Sequence, residues 1–219
     1  MHYSAGKTTN HHKQVLTVYG TGVLSIQPNE IKIALGVVTR NQELLPAQQE
    51  NARITQNVIQ SLRQLGVTEE NIQTSDYRIQ PLYEYKQGSQ QFLGYEISNL
   101  LSITLGDVKQ AGAIIDTAVK NGANRVGNLQ FSLKDETLYY QQAIKKALRN
   151  AYTTAQTLTT TMGLTLHPTP IQIIEQPPSQ PPIPYQTLFS IEQAGDTSTP
   201  IQPGQIDIEA KVEVKFYYY

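Results

Sequence analysis

The sequence predicts an α+β fold, mostly antiparallel sheets with three helices packed on one face. Three observations lead there. Several stretches alternate apolar and polar residues with period two, the pattern of a strand with one buried face. Three others repeat apolar or small residues at spacings of three and four, the pattern of a helix face. Each helical stretch runs into a glycine, where a left-handed cap belongs, and a strand-like run follows.

Along the chain, "VLTVYGTGVLSIQPNEIKIALGVVTR" reads as two strands. Leu16, Val18, Leu24 and Ile26 share one parity, Ile31, Ile33, Leu35 and Val37 share another, and "QPNE" supplies the turn. Gly20 and Gly22 inside the first strand mark a bulge or a close backbone approach. "GTG" is no nucleotide loop, because it sits within a strand pattern and no helix follows. Residues 43–65 form a helix with Ala47, Asn51, Ile54, Val58, Leu62 and Leu65 on one face and Gly66 at its end.

In "TSDYRIQPLYEY", Tyr77, Ile79, Tyr83 and Tyr85 alternate with Asp76, Arg78, Gln80 and Glu84, which makes a strand. Pro81 cannot donate a ladder hydrogen bond, so the strand is an edge or is bulged there. "KQGSQ" turns the chain, and the return strand carries Leu93, Tyr95, Ile97, Asn99, Leu101, Ile103 and Leu105 on one face. Asp107 is the N-cap of a second helix that stops at Gly122. "RVGNLQFSL" is a short strand. Asp135 caps the third helix, whose Ala143, Ala147, Ala151 and Ala155 admit a close neighbour, and Gly163 ends it. "LTLHPTPIQIIEQ" is another strand. Residues 177–204 begin proline-rich and carry Ile183, Tyr185, Leu188, Phe189 and Ile191 as an apolar anchor; we expect mobility there or an excursion onto a neighbouring subunit. The closing "QIDIEAKVEVKFYYY" alternates most regularly of all.

This order gives two interleaved subdomains behind a mobile segment 1–14. The first is discontinuous, 15–94 and 135–219, and includes the 177–204 loop. The second, 95–134, is ferredoxin-like, with the strand 72–86 as its optional member.

Composition excludes several chemistries. The chain has no cysteine, which removes thiolate catalysis, disulfides and Cys-ligated metal centres. Its formal net charge is −1 with no Lys/Arg cluster, so no nucleic-acid partner is expected. No apolar run reaches the roughly 18 residues of a transmembrane helix. "MHYSAGKTTNHHKQ" lacks the apolar stretch of a secretory signal, which fits a cytoplasmic protein if the chain is full length and a periplasmic or extracellular one if a signal was removed. Of four histidines, His2, His11 and His12 lie in that polar segment, and His167 has no evident partner for general-base work.

Five blocks, "VYGTGVLSIQPNEIKIALGV", "IQTSDYRIQPLYEY", "GYEISNLLSITLGD", "KNGANRVGNLQFSL" and "PGQIDIEAKVEVKF", resemble in the right order the bacterial SIMPL-domain family, over about residues 15–217. That family includes periplasmic immunogenic proteins and proteins labelled oxidative-stress defence. The resemblance implies an exported protein without an agreed enzymatic activity, in a group with one ring-shaped, channel-like member. It brings no catalytic residues.

The residues name no catalytic, cofactor or metal site. Ser75 and Asp76 are adjacent in a strand and point to opposite faces, and no histidine lies near to complete a triad. "NGANR" reads as an anion nest or as a helix cap. Among the 13 tyrosines, Tyr77, Tyr83, Tyr85 and Tyr95 crowd one hairpin; with Arg78 they form the candidate interface, or they pack on the helices. Two functions follow. One is a non-enzymatic protein that forms a homo-oligomer, with an indirect role in stress defence or the cell envelope implied by the resemblance. The other is a small-molecule binder or enzyme using a groove under the 177–204 loop.

Overall fold

The computed structural model describes residues 14–86, 88–177, 186–187 and 199–219. Its order is β1 (Gln14–Ile26), β2 (Glu30–Asn41), α1 (Leu44–Gln64), β3 (Ile72–Lys86), β4 (Ser89–Leu105), α2 (Ala111–Lys120), β5 (Arg125–Ser132), α3 (Glu136–Thr161), β6 (Leu166–Gln176), β7 (Gln186–Thr187) and β8 (Ile206–Tyr218). The strands form two antiparallel sheets, of order β1-β8-β6 and β3-β4-β2-β5-β7. The α+β prediction therefore holds.

Two compact units result, and within the described residues the chain passes between them at Ile26/Gln27, Lys134/Asp135 and Gln205/Ile206. In the larger unit, β2-α1-β3-β4-α2-β5 in spatial order β3-β4-β2-β5 is a ferredoxin-like split βαβ arrangement. Its boundary differs from the sequence expectation. β2, α1 and β3 belong to this unit, and β2 lies between β4 and β5, so 95–134 is not a sheet by itself. The "QPNE" turn likewise does not fold β1 onto β2. The two strands lie in different sheets, because β1 finds a full-length partner in β8, from Gln14↔Tyr218 to Ile26↔Ile206. Short-range pattern identifies strands but not their partners.

In the ferredoxin-like unit, α1 and α2 cover one face. Ile31, Ile33, Leu35 and Val37 of β2 meet Val58 and Leu62 of α1 and Ile114, Ile115 and Ala118 of α2 in a continuous core. Asn51 is the polar exception. Its amide donates to Val37 O at 2.9 Å and Ile97 O at 3.1 Å, so the buried group is satisfied and ties α1 to both central strands. The returning stretch also docks here. Thr199 gives its N–H (2.9 Å) and hydroxyl (2.5 Å) to the Asp116 carboxylate, and its carbonyl sits where a Cβ on Gly112 would be.

In the smaller unit, α3 lies on β1 and β8. Ala143, Ala147, Ala151 and Ala155 are fully buried against Val18, Gly20 and Gly22 of β1 and the even-numbered face of β8. The close approach expected at Gly20 and Gly22 is observed: a Cβ on either would overlap the backbone of α3. Asp135 accepts from Leu138 N at 3.2 Å, as an N-cap does. All three helices stop at their glycines. Gly66, Gly122 and Gly163 have φ of 90°, 108° and 68°, and the next N–H reaches back to Leu62, Ala118 and Thr159 in Schellman fashion. Asp107 caps a 3-10 turn, Val108–Gln110, that leads into α2.

Candidate functional site

β3 is an edge strand of the five-stranded sheet. Which way its backbone groups point follows from β2. Gly36 O accepts from Asn124 N, and Val38 exchanges bonds with the Asn124 side chain, so even-numbered residues of β2 turn towards β5 and odd-numbered ones towards β4. Carried through the register of β4, this alternation leaves Tyr77, Ile79, Tyr83 and Tyr85 with N–H and C=O on the open edge. Pro81 shares their parity. Its missing N–H falls on the open side and takes no bond out of the sheet, which is why proline is tolerated there.

β2 ends opposite Tyr95. Beyond that point β3 and β4 continue as a two-stranded arm closed by Lys86↔Ser89. The aromatic face carries Tyr83, Tyr85 and Phe92 on the arm and continues inward over the half-buried Tyr95 to Ile79 and Tyr77, where β4 is still paired with β2. Tyr83 and Phe92 stack edge to face at 5.6 Å, and Phe92 and Tyr95 at 5.2 Å. This is the face that α1 covers further in, left bare once the helix has passed. Asn99 stands opposite Tyr77 and Val37 at its inner end, with a buried Oδ1 that has no hydrogen-bond partner.

The structure thus brings Tyr77, Tyr83, Tyr85 and Tyr95 onto one face. Arg78 is on the other, paired with Asp76 at 2.8 Å, as Glu84 is with Lys86 at 2.8 Å and Arg40 with Glu96 at 2.7 Å. Sequence reasoning missed Phe92 and gave its place to Leu93. The register shifts between Leu82 and Tyr83, so Tyr83 pairs with Phe92, and Gly94 takes a φ of 138° beside the Asn41 carbonyl. The glycine was the signal, since one inside a strand pattern often marks a bulge.

The remaining candidates resolve into local structure. Ser75 is the extra residue of a bulge between Thr74 and Asp76 and donates its hydroxyl to Leu100 O at 3.2 Å. In "NGANR" the N–H groups of Gly122, Ala123 and Asn124 bond to Val119, Ala118 and Gly36, which is a cap and not an anion nest. His167 Nδ1 accepts from Thr169 N at 3.3 Å within its own turn. Among the described residues no group of three or more His, Asp and Glu is placed to hold a metal, and no helix is long and apolar enough to cross a membrane. His2, His11, His12 and most of 177–204 lie outside the described residues.

A cavity of about 620 Å³ lies in the smaller unit, lined by Glu136, Thr137, Tyr140, Glu175 and Pro177. The Tyr140 hydroxyl donates to Glu175 Oε1 at 2.7 Å. That bond, with some burial, raises the phenol pKa, because the neutral form is the donor. The cavity offers carboxylates and a hydroxyl held in a mutual bond, and no nucleophile–base pair.

The chain has relatives among known proteins. The chain is 26% identical over 210 residues to the 26 kDa periplasmic immunogenic protein of Brucella melitensis, covering 92% of this chain and 83% of that one. To the uncharacterized protein YggE of Escherichia coli K12 it is 24% identical over 139 residues, 64% of this chain and 56% of the other. YggE of Edwardsiella ictaluri is 28% identical over 108 residues, 49% and 45% of the two chains. The family model SIMPL, described as a protein of unknown function (DUF541), matches residues 16–216, and with that nearly full-length match the chain belongs to the SIMPL family.

Proposed function

We propose that this is a non-enzymatic SIMPL protein that assembles with copies of itself through the β3–β4 arm. One observation carries the reading: a two-stranded arm, which alone is marginal in water, presents an uncharged aromatic face. Tyr77, Ile79, Tyr83, Tyr85 and Phe92 are between 41% and 75% exposed. At about 200 Å² per large side chain they leave roughly 500 Å² open on each copy, or about 1,000 Å² in a symmetric pair, the lower bound for a specific interface. The charged residues of the arm lie on its other face in pairs of their own, so a like copy meets no like charge on the aromatic side.

The side-chain face, not the backbone edge, makes the contact. Pro81 interrupts any ladder laid along β3. A periplasmic site for the protein is supported by the name of the Brucella relative. A part in stress defence would be indirect, since the chain has no thiol and two methionines. The second reading, a small-molecule binder, is favoured by the cavity at Tyr140 and Glu175, where the 177–204 stretch begins. Light scattering on the purified chain tests the assembly. The wild type is expected to exceed monomer mass, and Tyr83→Asp with Tyr85→Asp to lower it. A wild type that stays monomeric at high concentration overturns the reading.

A further inference from the structure

The two outer strands of the three-stranded sheet are treated differently. β1 has its open edge covered by α3: Thr21 N–H donates to Asn150 Oδ1 and Val23 O accepts from Lys146 Nζ, both at 3.1 Å. β6 has no such cover over residues 171–176 among the described residues. Since Thr21 and Val23 turn away from β8, the odd-numbered residues of β8 face β6 and bond Gln172, Ile174 and Gln176. The N–H and C=O groups of Ile173 and Glu175 are therefore left on the open edge. No proline interrupts this stretch, and the carboxylate of Glu175 is held by Tyr140.

Its side chains are those of an interior strand. Ile173, 52% exposed, lies on the helix side beside Val214; Ile174, 40% exposed, lies on the outer side beside Glu213; Ile171 is 43% exposed. Edge strands in water show one apolar face, whereas a strand apolar on both faces is normally covered on both. α3 sits over β1 and β8 and leaves the helix side of β6 bare, with Ile144, Leu148 and Tyr152 following Tyr140 at four-residue spacing along the flank that overlooks it. The cavity at Tyr140 and Glu175 is one end of this trough.

We propose that β6 pairs antiparallel with β6 of a second copy, about a twofold axis through Ile174. This register sets Ile173 opposite Glu175 of the other copy, and Glu175 opposite its Ile173, which makes four backbone hydrogen bonds. Gln172 faces Gln176, Ile174 faces itself, and no Glu meets Glu. The product is a six-stranded sheet, β1-β8-β6-β6-β8-β1, with both α3 helices on one face and the two bare troughs joined side by side into one groove between them. A stable isolated pair needs about 1,000 Å² in total; the strand alone is too short for that, so the contact holds as one of several within an assembly. The contact rests on the homo-oligomer reading but uses a surface apart from the aromatic arm. Two self-complementary contacts on one chain extend an assembly beyond a dimer.

The absence of native cysteine makes the test clean. Ile174 would face its copy in a non-hydrogen-bonded pair with Cα atoms about 4.5 Å apart, inside the roughly 4.4–6.8 Å range of a disulfide. Full-length Ile174→Cys under mild oxidation is expected to run mainly as a disulfide-linked dimer on a non-reducing gel. Glu209→Cys, on the outer face of β8, is expected to stay monomeric. Gln172→Cys mixed with Gln176→Cys is expected to cross-link, and neither alone. The proposal is overturned if Ile174→Cys links no faster than Glu209→Cys, or if Gln172→Cys alone links as fast as the mixture. Ile174→Cys that resists both oxidation and a thiol reagent in a monomer would mean that this chain's own residues beyond Pro177 cover the edge, and that too overturns it. Failure to cross-link in a wild-type background that still scatters as an oligomer removes this contact and leaves the arm. A monomer with no cross-link removes both.

Discussion

Replacing Gly20 by alanine tests the packing of β1 on α3, because two effects predict opposite signs. Gly20 has an ordinary strand conformation. On conformational grounds alanine is better there by about 0.5–1 kcal/mol, since glycine loses more freedom on folding. Packing says the reverse. The new Cβ would overlap the Ala147 carbonyl oxygen and come within 2.7 Å of Ala151 Cβ and 2.8 Å of Ala151 N. These are backbone atoms and a fixed methyl, with no flexible end to swing aside, so the cost falls near the top of the about 1–3 kcal/mol range for overpacking. The net is a loss of roughly 2 kcal/mol, or about 4–8 °C in thermal midpoint for a chain of this size. Differential scanning calorimetry of wild type and variant reads it directly. Gly66→Ala is the comparison: nothing lies within 4 Å of that Cβ, and only the φ of 90° opposes it, at a cost of about 1–2 kcal/mol. A Gly20→Ala variant as stable as wild type, or more so, refutes the argument that steric contact with α3 dictates glycine in β1.

Other outcomes follow from the same geometry. Asn51→Ala withdraws both amide bonds from the Val37 and Ile97 carbonyls in a buried site and is expected to cost about 2–3 kcal/mol in urea unfolding. Asp116→Ala removes the acceptor of Thr199 N–H; exchange of that amide, followed by hydrogen exchange, is expected to speed up about 10- to 100-fold, as loss of a charged bond of about 1.5–3 kcal/mol implies. In an ultraviolet titration Tyr140 is expected to ionise later than an ordinary phenol, and Glu175→Gln to bring it down. Because the folded pKa is the raised one, the stability from this pair is complete below about pH 10 and is lost as pH climbs through the folded value.

Local features of the fold were legible because local physics sets them. Gly66, Gly122 and Gly163 end their helices in the left-handed region that other residues avoid. Pro81 marks an edge strand because only an open edge spares its missing N–H, and the alanine row of α3 announced a close neighbour that proved to be Gly20 and Gly22. Partner choice was not legible. β1 next to β2 across a Pro-Asn turn looks like a hairpin, yet its thirteen-residue register lies with β8, and nothing in either strand's pattern names its partner. The aromatic face was read correctly from period two as far as Tyr95. It then failed at one residue, because the extra residue beside Gly94 exchanges Leu93 for Phe92, and a one-residue slip moves every side chain beyond it to the other face. The open edge of β6 escaped notice since "IQIIEQ" reads equally as an interior strand, and only the sheet order shows that one side of it is open.

The interleaving of the two units has a consequence for how the chain acquires its structure. The ferredoxin-like sheet from β2 to β5, with α1 and α2, is complete in sequence by Lys134, and each of its pairings lies within the span from Glu30 to Ser132. β1 is made before all of it and has its register with the last strand, Ile206–Tyr218. During synthesis β1 therefore waits unpaired while the inserted unit forms, and the smaller sheet closes only after the final strand has left the ribosome. The insertion shortens the loop that this closure must span, because its two ends come out of a folded body instead of a free coil. Vectorial folding of this kind makes the middle of the chain the template and its two termini the last step.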